Sequence, residues 1–372
     1  MNTELRKMLK CEFPIVAFTH CRDVVAAVSK AGGLGVLGAT SHTPDHLKME
    51  LDWIENEIGD LPYGVDVLIP QKYIGKEKGG LQGSEIQALI PDEHRNFLEA
   101  LLQEHGVPPR EPTPRANSGI ELRSDQLNEL IDVALSHNTS LIANALGPPP
   151  PWMIDRAHAQ GVLVAALAGT PEHARRHEAA GADIVVAQGY EAGGHTGELA
   201  TMVLIPQVVD AVSLPVLAAG GIATGRQLTA ALALGAQGVW CGSIWLGTEE
   251  AETLPVVQEK FLKASSSDTI RSRSRTGKHA RQLRSGWTAA WEDPANPDPL
   301  PMPLQPQLIQ DAWERIEATA HNHEGSEYLI NQFVGQVVGQ MNSVRSCRAV
   351  IEDMVQEYVD TQERLNQWAE VD

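Results

Sequence analysis

Apolar residues in the first 240 positions form short runs that alternate with stretches of helical periodicity. Runs rich in β-branched residues, such as residues 13–18 and 182–187, predict buried parallel strands. In the stretches between them, such as residues 22–30 and 44–58, apolar residues recur every three to four positions, which predicts amphipathic helices. The predicted strands lie near positions 15, 36, 66, 142, 164, 185, 217 and 239.

This alternation predicts an α/β fold, specifically a closed (β/α)₈ or TIM barrel over residues 1–250, with a doubly wound open sheet as the alternative. Residues 70–124 interrupt the pattern with many glycine, proline and charged residues and one helical stretch at 91–106. Because this segment exceeds an ordinary connection, we interpret it as a lid-like insertion. Residues 251–372 are predicted to form a helical C-terminal extension that packs on the barrel, with helices near 308–320 and 348–366.

The composition narrows the class of protein. The 372 residues contain 29 Lys and Arg against 48 Asp and Glu, a net charge of −19. So negative a chain argues against a nucleic-acid partner and against binding to an anionic membrane surface. No apolar stretch is long enough to span a bilayer, and the N-terminus does not resemble a secretory signal. With four cysteines and no C-x-x-C pair, we expect a cytoplasmic protein with reduced thiols.

A glycine-rich turn after the sixth predicted strand is the most informative motif. Residues 186–197 read Val-Ala-Gln-Gly-Tyr-Glu-Ala-Gly-Gly-His-Thr-Gly. The glycines allow the backbone to approach a flat ligand, and His195 can exchange a proton near neutral pH. Because barrel active sites lie at the carboxyl ends of the strands, we predict that His195 is catalytic. Glu191 is either its acid–base partner or, as we favour, a hydrogen-bond acceptor that shapes the turn.

A phosphate site is predicted at the ends of the last two barrel strands. Gly220 and Gly221 follow the seventh strand, and Gly242 and Ser243 follow the eighth. Backbone N–H groups at such turns bind phosphate, and barrels commonly build this site from these two loops. The pair therefore predicts a phosphate-bearing cofactor. No cluster of histidines and cysteines has the spacing of a metal site, so no metal is expected.

A basic segment, residues 271–281, stands out in so acidic a chain. It could face a phosphate or an anionic substrate. We favour the alternative that it is a solvated loop whose arginines pair with surface acids.

Several of these strings resemble the nitronate monooxygenase family, formerly called 2-nitropropane dioxygenases. The resemblance covers most of the chain, and the glycine-rich turn carries its most specific part. The other matching strings are Ala31-Gly-Gly-Leu-Gly35, Tyr63-Gly-Val-Asp66, Ala218-Ala-Gly-Gly-Ile222, Ala231-Leu-Ala-Leu-Gly235, Gly242-Ser243 and Thr276-Gly-Lys278. Members of this family are FMN-dependent (β/α)₈ barrels, so the resemblance implies FMN as cofactor.

The resemblance also assigns roles by position. It implies that His195 is the base that takes a proton from the carbon of a nitroalkane or assists flavin reduction by a nitronate. It implies FMN contacts along the carboxyl ends of the strands. These are Ala17, Phe18 and Thr19 beneath the ring, Gln188, Gly189, Gly193 and Gly194 near the ring and ribityl chain, and Gly220, Gly221, Gly242 and Ser243 around the phosphate. Asp66, Ala219, Trp240 and Cys241 are further predicted cofactor contacts.

Three departures from the family pattern bear on the substrate more than on the cofactor. The family commonly has Asn where this chain has Asp66, and an ionised Asp can accept but not donate a hydrogen bond. Asp66 is therefore either protonated or in contact with a ribityl hydroxyl. The loop after the first strand brings a second imidazole, His20, to the expected substrate side. The insertion at residues 70–124 is the third departure.

Three functions remain open from the sequence. The favoured one is a nitronate monooxygenase that oxidises alkyl nitronates or nitroalkanes with O₂ to a carbonyl compound and nitrite. The first alternative is an NAD(P)H-dependent flavin reductase that acts on a quinone or an enoyl-thioester. The second is a non-catalytic flavin-binding protein. In both enzyme hypotheses the partners are a small-molecule substrate and either O₂ or NAD(P)H. The sequence leaves open whether the protein forms a homodimer.

Overall fold

A barrel of parallel strands forms the centre of the molecule. The structure, a computed structural model, describes residues 1–40, 42–81, 83–109 and 124–369. The barrel strands are β1 (Ile15–Thr19), β2 (Leu34–Gly38), β3 (Tyr63–Leu68), β4 (Leu141–Ala145), β5 (Leu163–Ala168), β6 (Ile184–Gln188), β8 (Val216–Ala219) and β9 (Gly238–Cys241). They pair in chain order, and β9 closes on β1. The eight predicted strands and the closed barrel are confirmed, and the open sheet is excluded.

Helices surround the barrel and make up much of the rest of the described chain. They are α1 (Glu4–Leu9), α2 (Arg22–Lys30), α3 (Pro44–Ile58), α4 (Gly83–Leu89), α5 (Asp92–Glu104), α6 (Ser124–Leu135), α7 (Pro151–His158), α8 (Pro171–Ala180), α9 (Thr201–Val209), α10 (Gly225–Ala233), α11 (Pro255–Lys263), α12 (Gly286–Glu292), α13 (Leu304–Thr319), α14 (Glu324–Leu329) and α15 (Cys347–Ala369). Several begin at a threonine cap, as where Thr224 and Gln227 form a capping box at α10. Within the described ranges, no helix combines the length and apolar character needed to cross a bilayer.

The strand pleat decides which side chains face the barrel interior. Val65 and Val67 of β3 pack with the surrounding helices. Because successive strand residues point to opposite faces, Asp66 between them faces inward. By the same alternation Phe18 and Trp240 pack with the inner core, whereas Ala17 and Cys241 pack among the helices. These directions limit which predicted residues can reach a ligand with their side chains.

A second, three-stranded sheet joins the C-terminal part of the chain to the turn after β6. Its strands are β7 (Gly194–His195), β10 (Thr269–Ser272) and β11 (Ala280–Leu283). Strand β11 lies between the other two, and its Ala280 pairs with His195 in antiparallel register. The C-terminal extension therefore contains a β-hairpin as well as the predicted helices. Strands β10 and β11 are four residues long and each contains an arginine, so their apolar alternation is too weak to be recognised in the sequence.

The basic segment 271–281 is not a solvated loop, so that prediction was wrong. The guanidinium of Arg281 is buried and donates to the Tyr190 carbonyl. The guanidinium of Arg275 lies 3.4 Å from the ring centre of Trp313. Arg271 donates to the Thr196 carbonyl, and among these arginines Arg273 has the surface partner, Asp298. Carbonyl oxygens and aromatic faces replace the water that such cations lose on burial.

The insertion and the C-terminal extension share a second hydrophobic core. Apolar residues of α4 and α5 pack there against Trp287, Trp291 and Trp313 of the extension. Arg315 links the two segments because its guanidinium donates to the carbonyls of Val107 and Pro108 and pairs with Glu99. The interpretation of residues 70–124 as a lid stays a prediction, and residues 82 and 110–123 of that segment lie outside the described residues.

Replacing Arg315 by methionine is expected to lower the free energy of unfolding by about 2–3 kcal/mol. The substitution keeps the apolar stem but removes the donors, so the carbonyls of Val107 and Pro108 lose charged partners in a buried place. Urea unfolding measures the change, and Arg175→Met serves as the control because Arg175 pairs with Glu172 on the surface. Equal stability of the two variants would contradict the role of Arg315 in linking the insertion to the C-terminal extension.

Candidate active site

His195 lies at the mouth of the barrel, in the turn that follows β6. Pairing of β7 with β11 fixes its backbone. Its Nε2 lies 2.8 Å from Oγ1 of Thr276, a residue that is 6% exposed. The Thr276 hydroxyl can donate to the Lys278 carbonyl at 3.2 Å, so Oγ1 accepts from Nε2–H of His195. This assignment leaves Nδ1 unprotonated, and Nδ1 has no hydrogen-bond partner in the described part of the chain.

The electrostatics of the turn keep His195 uncharged. Burial, and to a smaller extent the positive charge of Lys278, lowers its pKa from 6.5 to about 4. At neutral pH the imidazole is therefore neutral and can accept a proton at Nδ1. The sequence indicated the histidine but not these partners, since Thr276 and Lys278 lie about eighty residues away. The string Thr276-Gly-Lys278, which matches the family pattern, was the signal in the sequence that could have identified these partners.

This pKa predicts an unusual pH profile. If His195 is the base that the sequence predicts, kcat/KM with an uncharged substrate is expected to stay nearly constant from pH 7 down to about 5, because a base loses activity only when it becomes protonated. Lys278→Met removes a nearby positive charge, so it should raise the pKa of His195 and move the acid limb to higher pH. A wild-type acid limb near 6.5, the ordinary histidine value, would contradict the assigned environment.

Glu191 stabilises the glycine-rich turn. Its carboxylate accepts hydrogen bonds from the backbone N–H of Thr201 at 2.9 Å and from the Thr201 hydroxyl at 2.8 Å. Thr201 begins α9, so the carboxylate also neutralises a helix N-terminus. A Cβ on Gly189 would lie 2.1 Å from Thr201 Oγ1, which explains why only glycine fits there. The structural role that we favoured for Glu191 is confirmed.

The predicted phosphate site has the donors that an anion needs. Gly220 and Gly221 have φ angles of +95° and +72°, which glycine adopts without strain. The backbone N–H groups of Gly220, Gly221, Gly242 and Ser243 donate to no acceptor among residues that the structure describes. Strands β8 and β9 pair side by side, so these two turns are neighbours. Unpaired N–H groups grouped in this way fit a phosphate.

A C-terminal segment completes this side of the site. The backbone N–H of Gly335 donates to Ser243 Oγ at 2.7 Å, and that of Gln336 donates to the Glu191 carbonyl at 2.9 Å. Because Ser243 Oγ already accepts from Gly335, its own hydroxyl proton is free to face an anion. A Cβ on Gly193 would lie 2.8 Å from the Gly335 nitrogen. No local feature of the sequence indicates this contact, which joins residues 92 positions apart.

The other predicted cofactor contacts divide by orientation. The Phe18 ring faces inward and stacks on Trp240, with ring centres 6.2 Å apart. The side chains of Ala17, Thr19 and Cys241 do not have this orientation, so any contact would be through their backbones. Thr19 Oγ1 accepts from the Cys21 backbone, and burial raises the pKa of the Cys241 thiol to about 12. The remaining predicted contacts, Gln188, Gly194 and Ala219, end or follow strands at the mouth.

Three histidines follow the first two strands. His20 Nδ1 lies 3.1 Å from the Gly38 carbonyl oxygen, and its ring meets the edge of Phe18. The His20 side chain is accessible to solvent, yet the protein around the mouth desolvates the ring and lowers its pKa. His42 and His46 approach to 2.6 Å between Nδ1 atoms, a pairing that the sequence did not predict. Burial and the other two rings lower the pKa of His42 to about 4.

Other polar groups lie outside this site. The Cys21 sulfur and carboxylate oxygens of Asp23 and Glu252 lie within 4.8 Å of one another. Burial raises the pKa of Cys21, so without a metal ion it is a neutral thiol. All four cysteines are buried and free.

The family assignment follows from this fold and from comparison with known proteins. The family model described as nitronate monooxygenase matches residues 2–357. The chain is an oxidoreductase, an enzyme that acts on small molecules, and its family is one of flavin-dependent barrels. It belongs to the nitronate monooxygenase family, as the motifs predicted.

Individual relatives agree with this assignment. The chain is 59% identical over 365 residues to a Mycobacterium tuberculosis protein named "Putative monooxygenase", with 97% of each chain covered. It is 31% identical over 337 residues to a Staphylococcus haemolyticus protein named "Probable nitronate monooxygenase", covering 86% of this chain and 88% of the relative. The solved structure of nitroalkane oxidase from Streptomyces ansochromogenes is 27% identical in sequence, with a TM-score of 0.79, and the match covers 97% of this chain and 99% of that one.

Proposed function

We propose that this protein binds FMN and oxidises alkyl nitronates or nitroalkanes with O₂ to a carbonyl compound and nitrite, with His195 as the base. The observation that carries the proposal is the uncharged His195, held at Nε2 by Thr276 and open at Nδ1, at the same barrel mouth as a cradle of unpaired N–H groups. The names of the Staphylococcus and Streptomyces relatives support this substrate class.

The cradle suits the single terminal phosphate of FMN. Gly220, Gly221, Gly242 and Ser243 would hold it through backbone N–H groups, and the Ser243 hydroxyl would add a donor. The inward stack of Phe18 on Trp240 offers an apolar surface to an aromatic ring at the mouth. A bound flavin supplies the electron transfer, and the chain supplies position and electrostatics.

The proton step belongs to His195. Nδ1 takes the proton from the carbon next to the nitro group, while the electron pair of that C–H bond stays with the substrate. The hydrogen bond from Nε2 to Thr276 keeps the ring in the tautomer that has its lone pair at Nδ1. The positive charge of Lys278 disfavours the imidazolium and so promotes onward release of the proton.

Product analysis tests this proposal. Flavin-loaded protein given 2-nitropropane or its nitronate in air should form nitrite and the matching ketone in equal amounts and consume O₂. Absence of nitrite, combined with rapid oxidation of NADH or NADPH in the presence of a quinone or an enoyl-thioester, would favour the reductase instead. Absence of turnover with either set of substrates would favour the remaining hypothesis, a non-catalytic flavin-binding protein.

A further inference from the structure

A carboxyl group without a partner lies inside the barrel. Asp66 is 4% exposed and faces inward near the carboxyl end of β3. Its backbone carbonyl accepts from Ala39 N at 2.8 Å, but its side-chain oxygens make no hydrogen bond or ion pair with any described residue. A buried carboxylate without a partner is costly, so the group is either neutral or completed by something that the chain does not supply.

Small residues flank Asp66 in the barrel. It pairs with Gly38 on β2 and with Ala143 on β4. A Cβ on Gly38 would lie 2.5 Å from the His20 ring, so that ring occupies the space over Gly38. The small side chain of Ala143 leaves the other side of the carboxyl group to a ligand at the barrel mouth.

No charge in the surroundings favours the ionised form. Strands β2 and β4 contain no titratable residue, and Tyr63, the other titratable residue of β3, points toward the helices. His20 packs against Gly38 from the loop after β1, and desolvation lowers its pKa, so it is neutral at pH 7. With no cation to oppose it, burial raises the pKa of Asp66 well above its ordinary value.

We propose that Asp66 is a neutral carboxylic acid in the working enzyme and donates its proton in a hydrogen bond to an acceptor atom of the bound flavin. This inference rests on the proposed flavin site. A neutral carboxyl can donate, whereas a carboxylate can only accept. A donor stabilises the negative charge that a flavin acquires on reduction, and a carboxylate in the same place would oppose it.

Infrared difference spectra test the protonation state. Holoprotein at pH 7 is compared with Asp66→Asn, and Asp60→Asn is the matched control because Asp60 is an exposed residue just before β3. Wild type should show the C=O stretch of a protonated carboxylic acid that Asp66→Asn lacks. Asp60→Asn should lose only carboxylate bands. Loss of carboxylate bands in Asp66→Asn would overturn the proposal.

The midpoint potential of the bound flavin tests the donor role. Asp66→Asn keeps a donor and should stay near wild type. Asp66→Leu has none, so its ratio of reduced to oxidised flavin at a fixed potential should fall about tenfold. If Asp66→Leu does not fold, the midpoint potentials of wild type and Asp66→Asn are compared at high pH instead. Ionisation of Asp66 should then lower the wild-type potential below that of Asp66→Asn.

The possible failures are distinguishable. If wild type, Asp66→Asn and Asp66→Leu all bind flavin and have equal midpoint potentials, the donor role alone is overturned. A protein that binds no flavin would overturn the donor role together with the proposed function. Neither readout depends on nitrite formation, so a different substrate would leave both results interpretable.

Discussion

Replacement of His195 by glutamine is expected to lower kcat with a neutral nitroalkane by about 10²- to 10⁴-fold, the usual contribution of a positioned general base. Glutamine can still bond to Thr276, but it cannot take up a proton. The flavin should stay bound, because the cradle on β8 and β9 does not involve this side chain. The loss should be smaller with the preformed nitronate, which has already given up its proton.

The control for this variant is His158→Gln, since His158 lies on α7 and pairs with Asp183 away from the mouth. Nitrite formation per bound flavin is the quantity to compare, because it separates catalysis from cofactor loss. Wild-type turnover in His195→Gln with full flavin occupancy would refute the assigned base. An equal loss with nitroalkane and nitronate would show that His195 acts on something other than the proton of the substrate.

Gly242→Asp is expected to weaken FMN binding more than a hundredfold. Gly242 has a φ of −116°, and a Cβ there would meet its nearest atom, the Phe18 carbonyl oxygen, at 3.8 Å. The substitution therefore adds a negative charge without strain. Two unit charges about 5 Å apart near a protein surface repel by roughly 3 kcal/mol, and the phosphate would face such a charge in the cradle.

Gly242→Asn separates charge from size, because asparagine has nearly the same shape as aspartate and no charge. We expect it to bind FMN at least tenfold more tightly than Gly242→Asp. Fluorescence titration of the deflavinated protein with FMN measures both dissociation constants. Similar affinities for the two variants would mean that the phosphate lies elsewhere.

The barrel was predictable because its signals are local. A run such as residues 182–187 combines β-branched residues with burial on both faces, and the next element begins after a glycine turn. Helices such as Arg22–Lys30 and Pro44–Ile58 lie at their predicted bounds because apolar period and cap residues agree. His195 could be singled out for the same reason, since its neighbours in the sequence are also its neighbours in the turn.

The partners of the site were not predictable because they come from distant parts of the chain. Thr276 reaches His195 only through the pairing of β11 with β7, and Gly335 reaches Ser243 from the far end of the extension. The basic segment was misinterpreted for the same reason, since the carbonyls and rings that accept its arginines are remote in sequence. The protonation state of Asp66 depends on which residues flank it in the barrel, and the hydrophobic periodicity of the sequence does not show which residues these are.

The most direct test of the account is the anaerobic reaction of the flavin-loaded protein with propyl nitronate, NADH and NADPH, each added separately in a stopped-flow spectrophotometer. We predict that the nitronate alone reduces the flavin and bleaches its visible absorbance, and that neither nicotinamide does so at a comparable rate. Bleaching by NADH or NADPH without bleaching by the nitronate would contradict the proposed function and identify a reductase. A colourless protein that FMN cannot reconstitute would contradict the cofactor assignment itself.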